Sequence, residues 1–310
     1  MDFAARRLGS SIALGLHQSR SAEIVDLHAC TVLHPALFAL VEPLRDLLRR
    51  LQAVRREASI VANLLDSGVD LLLRTDAPLT LPDRMAIVAF ARAHDLPRVA
   101  WAAGKDTPEP IILLRPPTTS FAGIAVTPPP GAFLQASASG EAGIVATVCA
   151  ALPAKGQVAE LFAGCGTITF ALARHARVSA WEGDPASAAA LRDGANHAGL
   201  AGRVTVAQRD LARQPIPSKD LARFAAVVLD PPFAGAAAQT AEIAAAKVPV
   251  VVYVSCNPAT LARDASALCL AGYRIEAAVP IDQFLWSARL ESVTVFRRDA
   301  VAGEKRERRS

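Results

Sequence analysis

The stretch Val248-Pro249-Val250-Val251-Val252-Tyr253-Val254-Ser255-Cys256-Asn257-Pro258 decides the fold class. Its β-branched run has the pattern of a strand buried on both faces of a parallel sheet. Pro258 cannot extend such a strand but suits the first turn of a helix. Cys256 therefore belongs at the carboxyl end of a strand, where open α/β sheets bind their ligands. A lone cysteine in that position is more often a buried structural residue than a reactive one. Three stretches upstream weigh the other way.

The nearest is Ala225-Ala226-Val227-Val228-Leu229-Asp230-Pro231-Pro232-Phe233, an apolar strand that delivers a carboxylate to a stiff loop. Farther back, Val178-Ser179-Ala180-Trp181 ends in Glu182-Gly183-Asp184. Before that, Val158-Ala159-Glu160-Leu161-Phe162-Ala163-Gly164-Cys165-Gly166-Thr167-Ile168-Thr169-Phe170 reads as strand, glycine turn and helix start. Glycines let the backbone approach a ligand, and a helix start offers free N–H groups. A dinucleotide fingerprint needs another glycine where Thr169 stands, so NAD is a poor match. An acidic residue about 20 residues after the turn suits a ribose diol. Singly, each motif also reads as a plain turn, a charged strand end or a capping Asp. Together they predict a doubly wound, mostly parallel sheet over roughly residues 135–298, with Phe162, Glu182, Asp230 and Cys256 at its carboxyl edge.

With these residues in view, the chain resembles the S-adenosylmethionine-dependent RNA uracil-C5 methyltransferases, and most of all their bacterial 23S rRNA branch. Ser255-Cys256-Asn257-Pro258-Ala259-Thr260-Leu261-Ala262-Arg263-Asp264 looks like the family's nucleophile loop. Asp282-Gln283-Phe284-Leu285-Trp286-Ser287-Ala288-Arg289-Leu290-Glu291-Ser292-Val293 resembles the segment that holds its base, and Phe133-Leu134-Gln135 its Phe-x-Gln approach to the cofactor. The likeness is strong over 120–298 and loose over 10–120. It implies a class I methyltransferase (Rossmann-like) α/β fold and an S-adenosyl-L-methionine cofactor. It also implies roles. Gln135, Phe162, Gly164, Gly166 and Thr167 line the cofactor pocket, Glu182 holds the ribose, and Asp210 sits by the adenine. Asp230 lies between cofactor and substrate, and Phe233, Asn257 and Pro258 face the substrate. Cys256 is the nucleophile and Glu291 the base.

The chemistry needs these residue types. Uracil C5 is a poor nucleophile, and a thiolate added at C6 makes it enolate-like. The thiolate calls for a partly exposed site near positive charge or a helix start, which Pro258 begins. A carboxylate must then take the C5 proton. Glu291, just ahead of the apolar run Ser292-Val293-Thr294-Val295-Phe296, is placed for that. Two positions depart from the family: Phe233 stands where arginine is usual, and Arg289 where histidine is. Asp230-Pro231-Pro232-Phe233 also resembles the loop of amino-methyltransferases, which act on an exocyclic amine of a nucleobase and need no cysteine. A non-catalytic cofactor- or RNA-binding relic is a third reading, with no use for Cys256 or Glu291.

The rest of the chain frames this. Residues 1–130 read as a smaller α+β segment that resembles the family's central domain, which implies an accessory role in gripping RNA; 131–300 read as the methyltransferase domain and 301–310 as a basic disordered tail. In the first part, Ser11–Leu16 and Ile24–Leu27 suggest strands, Pro35–Gln52 and Pro82–His94 helices, and Ile60–Leu65 with Val69–Leu73 a hairpin. The proline-rich stretch 108–130 suggests the boundary. Of 310 residues, 52% are hydrophobic, enough for two cores. Five scattered cysteines argue for a reducing, cytoplasmic setting. No clean apolar stretch precedes His17, so no leader is expected, and no apolar run reaches the ~18 residues of a membrane span. The net charge of +4 suits a polyanion. The expected partner is RNA, rRNA in preference to tRNA, with the protein a monomer. Relatives often carry an N-terminal RNA-binding barrel and a four-cysteine iron–sulfur site. The barrel is not expected in this chain, which reads as either a naturally short member or an N-terminally truncated one. Cys30 resembles the last cluster ligand, but its three partners are missing, so no cluster is expected.

Overall fold

The computed structural model describes residues 1–19, 21–287 and 289–298, so the expected tail at 301–310 lies outside the described residues. Two compact units emerge, one of residues 1–120 with 127–134 and one of 121–126 with 135 onward.

The first unit begins with β1 (Asp2–Leu8), β2 (Ser11–His17) and β3 (Ile24–Asp26), followed by α1 (Pro35–Phe38) and α2 (Val41–Arg50). The hairpin β4 (Glu57–Leu65) and β5 (Gly68–Thr75), then α3 (Leu81–Ala93), β6 (Arg98–Ala103) and β7 (Glu109–Leu113), complete it. The sheet order is β3-β2-β1-β4-β5-β6-β7, and the pairs are antiparallel except β5–β6, which α3 bridges. Sequence periodicity misses β1, because Phe3, Ala4 and Ala5 are buried in succession rather than in alternation. The single helix expected over 35–52 is two, because Pro43 has no N–H to give Ala39 and its ring crowds that carbonyl.

The boundary falls differently from 130/131. Arg98 is held by Asp70 through two hydrogen bonds of 2.8 and 2.7 Å and also donates to the Pro128 carbonyl at 2.9 Å. Asn63 Nδ2 donates to the Ala132 carbonyl at 2.8 Å. These bonds keep 127–134 in the first unit. Strands β8 (Thr119–Phe121) and β9 (Ile124–Val126) come between. Val126 belongs to the second unit, packed so closely on Gly194 that a Cβ there would stand 3.1 Å from Val126 Cγ2.

In the second unit α4 (Ala138–Ala151) precedes β10 (Gln157–Leu161), α5 (Thr167–Leu172), β11 (Arg177–Glu182), α6 (Pro185–His197) and β12 (Val204–Gln208). Then come α7 (Ser218–Leu221), β13 (Ala226–Leu229), α8 (Ala237–Ala246), β14 (Val250–Ser255), α9 (Pro258–Leu270), β15 (Tyr273–Ile281) and β16 (Glu291–Arg298). The sheet order is β12-β11-β10-β13-β14-β16-β15. Strands β10 to β14 are parallel, and β16 runs antiparallel between β14 and β15. This is the expected doubly wound sheet, with its reversal of strand order beside β10. Every residue of β13 and β14 is buried, which accounts for their unbroken apolar runs.

Candidate active site

Register lines up the motifs. Leu161 pairs with Trp181 and Leu229, and Leu229 with Tyr253. Phe162, Glu182, Asp230 and Cys256 therefore all lie at or just past the carboxyl edge. In the glycine loop Phe162 takes φ +63°, a conformation that residues with a Cβ rarely hold and that marks strained functional loops. Gly166 (φ +102°) caps α5, whose first residue is Thr167; a Cβ on it would come within 2.5 Å of Leu191 and 2.6 Å of Phe170. Gly164 (φ +55°) faces open space, since a Cβ there would meet nothing within 4 Å.

Glu182 ties this loop to the end of β11. Its Oε2 accepts the Gly164 N–H and its Oε1 the Asp184 N–H, both at 2.7 Å. Each oxygen keeps a lone pair for a diol. Asp210 stands nearby, its Cα 3.8 Å from where a Gly183 Cβ would lie. Its carboxylate caps its own turn, accepting from the Ala212 and Arg213 N–H groups.

Sequence reading passed over two residues here. Glu160, inside β10, is 2% exposed. Burial pushes its carboxyl up to about 8, the charges of Asp230 and Glu182 add to that push, and its Oε2 has no hydrogen-bond partner. The signal was present: a charged residue inside the apolar run Val158-Ala159-Glu160-Leu161. The other is Gln283, described next.

Ser255 of β14 pairs with Ser292 of β16, and one step further along this antiparallel register sets Cys256 opposite Glu291. Glu291 is buried, and burial raises its carboxyl above the ordinary range; a hydrogen bond from Gln283 Nε2 to its Oε2 (3.1 Å) opposes that. The same nitrogen donates to Gln135 Oε1 at 2.9 Å, and Gln135 Nε2 donates to Asp230 Oδ2 at 3.3 Å. Burial and the charge of Glu291 push Asp230 up to about 7.

Cys256 is partly exposed at the head of α9, as expected, but the field around it has the opposite sign. Burial, then Glu291, then Asp230 push its thiol up; Arg289 acts the other way without prevailing. Asn257 caps α9 through the Ala259 N–H, with Pro258 in the first turn, and its Nδ2 donates to the Phe233 carbonyl at 2.9 Å. That bond joins the Ser-Cys-Asn-Pro loop to the Asp-Pro-Pro-Phe loop. Asp264 of α9 reinforces it: Oδ2 accepts from the Tyr253 hydroxyl at 2.6 Å and the Ala236 N–H at 2.8 Å. Phe233 is 59% exposed. The two departures from the family meet, since the Arg289 guanidinium lies 5.8 Å from the centre of the Phe233 ring.

This donor set fits S-adenosylmethionine. Glu160, Glu182 and Asp230 crowd one edge, and burial, with the charge of neighbouring carboxylates, raises Glu160 and Asp230. A ligand carrying a sulfonium, an ammonium and a ribose diol supplies both the charge and the donors that are missing. In the first unit Cys30 Sγ accepts the Leu33 N–H at 3.3 Å. Among the described residues no three His, Cys, Asp or Glu side chains are grouped to hold a metal. No described helix is long and apolar enough to cross a membrane.

Residues 203–299 match the family model for tRNA (uracil-5-)-methyltransferases. A Brucella melitensis protein described as an uncharacterized RNA methyltransferase is 40% identical over 293 residues, covering 94% of this chain and 69% of that one. A 23S rRNA (uracil(1939)-C(5))-methyltransferase of Chromohalobacter salexigens is 36% identical over 94% of this chain and 62% of its own. The Pyrococcus abyssi tRNA (uracil-54, C5)-methyltransferase, solved with S-adenosyl-L-homocysteine, superposes with a TM-score of 0.72 at 19% identity, covering 95% and 75% of the two chains.

Proposed function

Because the chain belongs to the S-adenosylmethionine-dependent RNA uracil-C5 methyltransferases, we propose that it methylates C5 of a uridine in 23S rRNA through a covalent adduct on Cys256. The observation that carries the mechanism is the β14–β16 register, which sets Cys256 beside Glu291 at the ligand-binding edge. Likeness to the Chromohalobacter enzyme supports rRNA over tRNA.

The Cys256 sulfur adds to C6, and the C5–C6 π pair becomes the pair that C5 uses to bond carbon. Bound S-adenosylmethionine supplies the electrophilic methyl group. Glu291 takes the proton left on C5. The C5–H pair re-forms the C5–C6 double bond, the C6–S bond breaks, and its electrons return to sulfur. Glu182 would hold the ribose, and Gln135 and Asp230 the reacting end of the cofactor, between it and the base. Phe233, with Arg289 over it, offers a face for an unstacked base.

Cys256→Ala should abolish methylation and leave S-adenosylmethionine affinity near wild type. RNA containing 5-fluorouracil should trap the wild type as an adduct stable to denaturing electrophoresis, since fluorine does not leave as a cation. An active Cys256→Ala enzyme would overturn the mechanism in favour of amine methylation at Asp230. Mass spectrometry of rRNA and tRNA from cells with and without the protein identifies the substrate; a change confined to tRNA would refute the rRNA assignment.

A further inference from the structure

One amide nitrogen joins the nucleophile side of the edge to the cofactor side. Gln283, in the segment between β15 and β16, is 8% exposed. Both hydrogens of its Nε2 are used, one on Glu291 Oε2 and one on Gln135 Oε1. These partners fix the orientation of the amide, because the reverse would set its oxygen against two oxygens. Packing fixes its position too. Gly140 lies in the first turn of α4, and a Cβ there would stand 2.5 Å from Gln283 Oε1 and 2.7 Å from its Cβ. The array Glu291–Gln283–Gln135–Asp230 thus spans 156 positions of sequence, by subtraction of 135 from 291, and is closed by three hydrogen bonds.

A base acting on one particular proton gains from a fixed carboxylate. An amide donor fixes it without competing for the proton and favours its charged form. We propose that Gln283 is the positioning residue for proton removal: it aims Glu291 at C5 of the adduct and couples that aim, through Gln135, to Asp230. This rests on Glu291 being the base. The step served is the one in which Glu291 gains the C5 proton, the double bond re-forms and the C6–S pair returns to Cys256. Gln283 itself gains and loses nothing.

The test is a single-turnover time course with uridine RNA, read on denaturing gels and by methyl incorporation. Gln283→Met keeps the bulk and loses both N–H groups. Adduct resolution should slow by about tenfold or more beyond any change in methyl incorporation, as expected for losing a hydrogen bond to a charged group. The acid limb of the resolution rate should move to higher pH, because burial then acts on Glu291 unopposed. Gln283→Asn, too short to reach both partners, should change in the same direction, and it carries the test if the Met variant does not fold. Wild-type resolution with an unmoved acid limb in a folded variant would overturn the proposal. Glu291→Gln is the control. If it accumulates adduct and the Gln283 variants do not, the positioning role fails alone; if it accumulates none, the base assignment fails and the proposal with it.

Discussion

Asp70 in the first unit and Glu160 in the second are equally hidden, each 2% exposed, but their surroundings differ. Asp70 grips Arg98 through both oxygens, while Glu160 leaves Oε2 without a partner. The contrast extends to their neighbours. In the first unit burial would raise Asp76 and Asp83, but backbone N–H donors, from Arg55 and Arg56 to one and from Thr80 and Gln52 to the other, more than offset it and lower both. In the second, Glu160, Asp230 and Glu291 are all raised, and Asp230 feels Glu291 directly. Asp264 is the exception, lowered because Arg263, Tyr253 and Ala236 donate to it against its burial. Carboxylates that hold the fold are satisfied within the chain. Those at the carboxyl edge are raised, chiefly by burial, a pattern common where side chains meet a ligand.

The strongest challenge to this contrast is Glu291→Gln. Loss of the proposed base should cut turnover by about 10²–10⁴-fold while the melting temperature holds or rises, because a buried acid is replaced by a neutral amide. A large loss of stability would place Glu291 with the structural acids. Next comes Arg98→Met, which leaves Asp70 buried and unpaired and should cost about 3–5 kcal/mol in denaturant unfolding. A cost within experimental error would break the comparison from the other side. Glu182→Ala should weaken S-adenosylmethionine about tenfold or more, from the loss of about 1.5–3 kcal/mol of charge-assisted hydrogen bonding. Unchanged affinity by calorimetry would remove Glu182 from the pocket.

The smallest effect is a slope with pH. The folded state raises Glu160 from 4.5 to about 8, so it binds a proton the unfolded chain releases. The stability this brings is complete below pH 4.5 and is lost as pH rises toward 8. Asp230 acts likewise up to about 7. The cofactor-free protein should therefore melt lower at pH 8 than at pH 5, and Glu160→Gln should flatten the trend. An equal slope in that variant would show that Glu160 is not its source.

Local patterns carried much of this. The hairpin around Asp66-Ser67-Gly68 appears as β4 and β5, with Gly68 at φ +120°, because turn chemistry and strand composition act over a few residues. The helix at 82–94 appears one residue early, capped by Thr80 with Asp83 in reciprocal hydrogen bonds. What failed depended on neighbours. β1 hides because its buried residues follow one another, and 35–52 divides because one proline weighs more than a leucine stripe. Cys256 does stand at the expected helix start, but the sequence did not show that burial and then two carboxylates from elsewhere in the chain push its thiol up.

The sequence by itself determined which residues stand at strand ends: Phe162, Glu182, Asp230 and Cys256 each close or follow a short, mostly apolar run, and the four runs together read as strands of one sheet. It also carried Glu160, legible as one charge in such a run, though unread. Only the tertiary structure decided that Ser255 pairs with Ser292, which brings Cys256 to Glu291, and that Gln283 reaches Gln135 past a helix where Gly140 makes room. The physical reason is range. Strand and turn preferences come from contacts within a few residues, whereas register, shared hydrogen bonds and the sign of a buried field are sums over groups that meet only when the sheet closes.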